Sequence, residues 1–297
     1  MTCTDFRTTF PLPASGSFLA PRRGELLLTG SCFTDEMGAR LRACGYPSCV
    51  NPCGVQYNPA SIAALLDAAM TGEWPSGLFF THDGLRRCWL LPTAFARPTE
   101  QECIRVCDEA LAELRRSLRE AEALILTLGT AWIYEHQGEG YRGIVGNCHK
   151  VPAREFSRRR LSVEEITALW MPLIEAMHKF NPDLRLIFTV SPIRHFKDGA
   201  HENTLSKATL HLAVEELLSS TLPLQAEYFP AWELLMDDLR DYRFYAPDML
   251  HPSPVAVDYI WRLFSACYFS EATRAEMSRR AAEIRRAAHR PIIGGGR

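Results

Sequence analysis

The 297-residue sequence predicts an α/β fold, with a mainly parallel sheet held between layers of helix. Three observations predict it. Short β-rich runs alternate along the chain with longer segments of helical composition. The two clearest runs, Ala123 to Leu128 and Leu184 to Val190, are almost continuously apolar, the pattern of strands covered on both faces. Several runs end in Gly, Ser, Asn or Pro, at the strand ends where open parallel sheets gather their ligands.

In chain order, strands are expected at about 25–30, 48–51, 123–128, 184–190 and 225–228. Helices are expected at about 34–44, 59–71, 99–121, 162–179, 202–220, 231–239 and 253–267. Thr99 before Glu102, and Ser162 before Glu165, mark two helix starts in which a side-chain oxygen can accept from a first-turn amide. Two segments break the alternation. Leu78 to Leu90 reads as a hairpin closed by Asp83-Gly84, and Trp132 to Val145 reads as a second hairpin turning at Gly138 to Gly140. Both are candidates to lie over the ligand end of the sheet. The segment from Glu271 to Arg290 alternates Arg, Glu and Ala and reads as a solvated helix, with Gly294 to Arg297 frayed behind it. One domain over 1–270 therefore precedes a C-terminal helix and tail over 271–297.

With 47% hydrophobic residues the chain can bury a substantial core. Lys and Arg total 33 against 35 acidic residues, so nothing in the charge balance points to nucleic acid or an anionic membrane. No leader pattern and no membrane-spanning apolar run is visible, and a cytoplasmic protein is expected, with its ten cysteines as reduced thiols. Cys44, Cys49 and Cys53 do not have the spacing of a zinc knuckle, and no metal or organic cofactor is expected.

The chemistry lies at Gly30-Ser31-Cys32-Phe33, where an apolar run turns into the helical segment from Thr34. A side chain at such a junction projects beyond the sheet, and the first-turn amides of the helix can stabilise a developing negative charge. Ser31 is the first candidate nucleophile, and a serine needs a base. Asp248-Met249-Leu250-His251, between Pro247 and Pro252, supplies one: on a rigid loop the carboxylate can accept from Nδ1 and leave Nε2 free for the proton. Cys32 is the competing nucleophile, because a thiol at a helix N-terminus is activated and only one of two adjacent side chains at the turn faces the site. Gly-x-Ser-x-Gly is absent, which argues against the nucleophile elbow of α/β-hydrolases. Arg194 and His195 follow a strand, where Arg194 can clamp a carboxylate or phosphate, and Asn203 and Lys207 lie one turn apart on the next helix.

Nearly the whole chain resembles the GSCFA domain family, a bacterial family in or beside the SGNH (GDSL-like) hydrolases. The blocks that carry the resemblance begin with Gly30-Ser31-Cys32-Phe33, with Thr34 where the family name has Ala, and Asn51-Pro52-Cys53-Gly54 with Tyr57-Asn58-Pro59. They continue through Leu128 to Trp132, Asn147 to Lys150, Ser191 to His195, Glu202-Asn203 with Ser206-Lys207, Tyr228 to Pro230 and Leu239 to Pro252. The resemblance implies an α/β/α sandwich with an SGNH-like sheet and hairpin insertions. It makes Ser31 the nucleophile, His251 the base and Asp248 its orienting group, with Gly54 as an oxyanion donor. Where SGNH enzymes place a donating Asn two residues after the third-block glycine, here Gly129, this chain has Ala131. Each such donor supplies roughly 3 kcal/mol. Asn147 is the first candidate replacement, followed by Asn58 and Thr130. His149 and Lys150 could contact a charged or sugar substrate. The implied function is a serine ester hydrolase or acyltransferase acting on a small acyl ester, for example an O-acylated carbohydrate. A binding protein for a glycan or metabolite on the same fold is the alternative.

Overall fold

The computed structural model describes Leu12, Leu19 and residues 25–288; the expected frayed tail from Gly294 lies outside the described residues. Five parallel strands form the central sheet in the order β10-β9-β5-β1-β2. They are β1 (Leu26–Gly30), β2 (Ser48–Val50), β5 (Ala123–Leu128), β9 (Arg185–Val190) and β10 (Ala226–Tyr228), each within two residues of its expected place. The helices are α1 (Cys32–Ala43), α2 (Pro59–Thr71), α3 (Glu100–Glu120), α4 (Val163–Phe180), α5 (Gly199–Ser219), the short α6 (Ala231–Glu233), α7 (Pro254–Tyr268) and α8 (Glu271–Ala288). The α/β/α sandwich with hairpin insertions expected from the sequence is the observed architecture.

Side-chain alternation along the buried strands fills two cores. Leu27, Leu124, Leu126, Leu128, Leu186, Phe188 and Val190 face one core with α2, α3, α4 and α5. Leu26, Leu28, Ala123, Ile125 and Ile187 face the other with α1, α7 and Met277 of α8. Each fully buried Leu or Phe contributes roughly 2 kcal/mol to folding, so the sheet is anchored from both sides. The caps lie where the sequence placed them: Thr99 accepts from the Glu102 amide, and Ser162 and Glu165 form a reciprocal capping box.

Three differences from the sequence reading bear on the site. Helix α1 begins at Cys32, two residues before its expected start, with Ser31 as its N-cap residue. The second hairpin is a three-stranded antiparallel sheet, in which β6 (Trp132–His136) pairs with β7 (Gly143–Val145) and with β8 (Phe156–Arg160). Strand β8 reads FSRRR and carries no apolar alternation, so its strand character comes from its partner. The segment expected as one helix over 231–239 becomes α6 and then a π-helical stretch, Leu234–Leu239, ended by Arg240 in the left-handed region. The first hairpin, β3 (Phe79–His82) with β4 (Leu85–Cys88), closes as expected through Asp83 and Gly84, both at positive φ.

Gly30 ends β1 with a φ of +143°, and a Cβ placed there would lie 2.2 Å from the Thr127 carbonyl oxygen of β5. No L side chain fits without breaking the β1–β5 pairing that sets the junction. Gly30→Ala is therefore expected to cost about 3 kcal/mol or more of stability, read from denaturant midpoints, whereas Gly84→Ala, with no atom within 4 Å of its Cβ, should cost clearly less.

Candidate active site

The strand-to-helix junction is held in place by backbone bonds on both sides. The Ser31 amide donates to Thr127 O (3.0 Å), and the Gly30 amide donates to Asn51 Oδ1 (2.9 Å). Asn51, itself at positive φ, also donates through Nδ2 to Asp35 Oδ1 (2.8 Å), so one side chain ties the end of β1 to the first turn of α1. No sequence signal marks this role beyond the asparagine's tolerance of positive φ.

Ser31 still has extended backbone (φ −69°, ψ 174°) and is only 2% exposed. It sits against the Gly129 backbone: a Cβ on Gly129 would lie 3.4 Å from the Ser31 Cβ. Its hydroxyl has no hydrogen-bond partner and makes no bond to His251. Cys32, the first residue of α1, is half-buried instead, and its Sγ lies 3.6 Å from His251 Nε2. The Ser31–His251 pair expected from the sequence is thus replaced by a Cys32–His251 pair. The physical reason is the helix start: the N-cap residue keeps the strand direction and turns inward, and the next side chain is the one presented at the front.

Asp248 and His251 are joined as the sequence implied. Nδ1 of His251 donates to Asp248 Oδ2 at 2.6 Å, while Asp248 Oδ1 accepts from the amides of Leu250 (2.9 Å) and His251 (3.0 Å). Those two amides, His251's first, with the imidazole, hold the Asp248 carboxyl down at about 2. The loop is rigid: Met249 sits at positive φ with its amide on Ala246 O, and the Ala246 amide donates to His251 O (2.7 Å). Ser253, rather than Asp248, caps the following α7. Burial pushes the Cys32 thiol up and Asp35 adds to the rise, while the Cys32 amide, the Phe33 amide and, more weakly, Lys207 oppose it. A resting thiol hydrogen-bonded to Nε2 follows.

The amide of Gly54, the expected oxyanion donor, and that of the third-block glycine Gly129 are already engaged. Gly54 donates to Asn51 O (2.7 Å), and its own role is steric, at φ +75° where a Cβ would strike Pro92. Gly129 donates to Tyr57 O (2.8 Å), and Thr130 is spent on Tyr57 O and on Ser206. Ala131 is fully buried. Asn58 caps α2 through Oδ1 to the Ser61 amide (2.8 Å), which leaves its Nδ2 without a protein acceptor among the described residues and on the wall of the cleft. Asn147 closes its own turn, Oδ1 accepting from the His149 amide (2.8 Å), and also lines the cleft. His149 is buried: it donates to Cys88 O (2.8 Å), packs on Phe80 and Trp89, and burial lowers its pKa to about 4. It supports the hairpin, and the substrate contact suggested for it is corrected to that extent.

One face of α5 organises the strand ends behind the site. Asn203 donates to His195 O (3.1 Å) and accepts from Arg194, Ser206 accepts from the Ala131 amide (2.8 Å), and the fully buried Lys207 donates to Ser191 O (2.7 Å). Burial, with Arg194 nearby, brings Lys207 down to about 7. His195 stands edge-on to His251, ring centres 6.1 Å apart, and partial burial, Lys207 and His251 lower its pKa. Arg194 is turned away: it braces Asn203 and Thr204, lies over Trp232, and lines a separate hollow with Phe196 and Tyr242.

Beside the dyad opens a cleft of about 360 Å³, lined by Tyr57, Asn58, Gly129 and His195 near the dyad and by Trp132, Tyr134, Arg158 and Lys197 farther along. The insertion sheet provides that second wall, so β8, which sequence periodicity missed, contributes a cleft residue. Among the described residues no His, Cys, Asp and Glu group is arranged to hold a metal ion, and no helix is long and apolar enough to cross a membrane.

A family model described as the GSCFA family matches residues 25–264. No curated protein matches the sequence. Among solved structures, a carbohydrate esterase family 3 protein from Talaromyces cellulolyticus is 10% identical, covering 82% of this chain and 95% of that one, with a TM-score of 0.35. A mutant acetyl esterase with acetate ion is 8% identical, covering 88% and 99%, with a TM-score of 0.39. A carbohydrate esterase family 2 enzyme from Corynascus thermopiles is 12% identical, covering 91% and 69%, with a TM-score of 0.41.

The depressed Asp248 pKa fixes the sign of an acid effect. The ionised carboxylate contributes stability that is complete above its ordinary value of 3.8 and is lost as pH falls through about 2. The melting-temperature difference between wild type and Asp248→Asn should shrink as pH falls below about 4. A difference that grows on acidification contradicts the assigned bonds.

Proposed function

The chain belongs to the GSCFA family, and for this member we propose an acyl-transfer enzyme whose nucleophile is the Cys32 thiol. The substrate class is a small acyl ester, with an O-acylated carbohydrate as the preferred candidate. The observation that carries the reading is the continuous line Asp248–His251–Cys32, with 2.6 Å and 3.6 Å between successive partners. It gives the thiol a base, the base an orienting carboxylate, and the sulfur two helix amides.

In the first half-reaction the Cys32 proton passes to His251 Nε2 and the sulfur attacks the acyl carbonyl carbon, forming a C–S bond. The negative charge moves to the carbonyl oxygen, for which the first-turn amides of α1 at Cys32 and Phe33 are the proposed donors, with Asn58 Nδ2 on the cleft wall as a further candidate. Collapse breaks the C–O bond, and the departing alkoxide takes the proton from Nε2. In the second half, Nε2 removes a proton from water or an acceptor alcohol, whose oxygen attacks the thioester; the C–S bond breaks and the sulfur recovers the proton. Asp248 remains ionised throughout, which its two backbone bonds favour. The aromatic walls and free amides of the cleft suit a sugar-sized alcohol portion. A cytoplasmic location fits the nine described cysteines, all free thiols.

The test is steady-state turnover of short-chain nitrophenyl esters and O-acetylated sugars by wild type, Cys32→Ala and Ser31→Ala. Cys32→Ala is expected to lose activity on the order of a million-fold, the effect of deleting a working nucleophile. Ser31→Ala should keep kcat within about tenfold, since its hydroxyl is buried and bonds to no group of the dyad. Full activity in Cys32→Ala with loss in Ser31→Ala returns the reaction to the serine, and a folded wild type inert toward every ester favours the binding protein.

A further inference from the structure

The cleft beside Cys32 is electropositive in a chain whose formal net charge is −2, so its charge is local rather than a share of a basic surface. Arg158 lies flat over Trp132 (4.3 Å to the ring centre) and Tyr134 (5.2 Å). Both oxygens of Asp198 accept from it at 2.5 Å. That bidentate pair neutralises Arg158, and it consumes Asp198, among the described residues the only carboxylate lining the cleft. His195, the other titratable imidazole there, has its pKa lowered by partial burial, Lys207 and His251. Lys197 is left over. Its Nζ donates to the Tyr134 hydroxyl at 2.6 Å and lies 5.2 Å from that ring centre, and among the described residues no carboxylate lies within ion-pair distance of it. An ammonium fixed by a phenol on the wall of a cleft keeps two further N–H donors for a ligand.

The geometry points to an alcohol portion of the substrate that carries an anionic group, a carboxylate or a phosphate, bound by Lys197 while the acyl carbon lies at Cys32. This rests on the acyl-transfer reading and narrows its substrate to an acyl ester of a hydroxy acid or of a phosphorylated alcohol, such as an acylated sugar acid or sugar phosphate. Arg158 and Asp198 act as a rigid platform: they fix the loop bearing Lys197 against the insertion sheet. Lys197 is exposed at the cleft wall, and a neutral O-acyl sugar would make no charge-assisted hydrogen bond to it, which is the discriminating element.

Two alkylating agents that differ by a single carboxylate test this without any ester turnover. Iodoacetanilide and N-(4-carboxyphenyl)iodoacetamide both form a C–S bond to the Cys32 thiolate and release iodide. Rates are divided by those of the same agents with glutathione, and Cys32→Ala supplies the background. The carboxylated agent is expected to label wild-type Cys32 about tenfold faster, and Lys197→Met should reduce that preference to within about twofold while leaving iodoacetanilide unchanged. A preference that survives in Lys197→Met, or is missing in wild type, overturns the proposal. On the wild type alone, benzoate and inorganic phosphate are each tested for protecting Cys32 from iodoacetanilide. Protection by one of them identifies carboxylate or phosphate as the better ligand, and protection by neither overturns the proposal. Loss of ester turnover with the anion preference intact would instead count against the acyl-transfer reading alone.

Discussion

The turn from β1 into α1 is the constraint on which the site depends. It is pinned by the Ser31 amide on Thr127 O and by Gly30 on Asn51 Oδ1, with β5 so close that position 30 admits no Cβ. Because the chain cannot shift there, the helix begins at residue 32 and not later. That start decides which of two adjacent nucleophiles meets the imidazole. It also sets the sulfur at the first turn of α1, so in the proposed reaction nucleophile and anion stabilisation come from one backbone feature.

Desolvation is the common cause behind the electrostatics of the site. Burial raises the Cys32 thiol and lowers Lys207, and partial burial lowers His195, so each of these groups shifts toward its neutral form. Asp248, at the solvent-exposed rim, is the exception, because backbone donors and the imidazole stabilise its charge. A protein arranged this way keeps a neutral thiol until a proton can be passed along Nε2. The permanent charge of Arg158 is cancelled by Asp198, and among the described residues Lys197 bonds to the Tyr134 hydroxyl with no carboxylate in ion-pair distance.

Much of the fold is legible in the sequence because it is written in buried apolar runs and caps: Ala123–Leu128, Arg185–Val190, Thr99 and Ser162 all mark elements that form there. The Asp248–His251 pair is legible for a related reason, since a three-residue spacing between prolines leaves few other conformations. The Cys32 assignment is not legible, because Ser31 and Cys32 differ only in where the first helical turn closes, a matter of one hydrogen bond to β5. Neither is β8, whose arginines are ordered by stacking and ion pairs rather than by apolar alternation. The engagement of the Gly54 amide by Asn51 O, and of the Gly129 amide by Tyr57 O, is not legible either, since no local pattern encodes those contacts.

The central claim is that the acyl group is carried on sulfur at position 32, and the direct measurement is to trap it. Wild-type protein mixed briefly with a radiolabelled acetyl ester, quenched in acid and digested, is analysed by tandem mass spectrometry. An acetyl group located on Cys32, released by neutral hydroxylamine and absent after prior alkylation of that thiol, is the predicted result. An acetyl group located on Ser31 and resistant to neutral hydroxylamine would contradict the account.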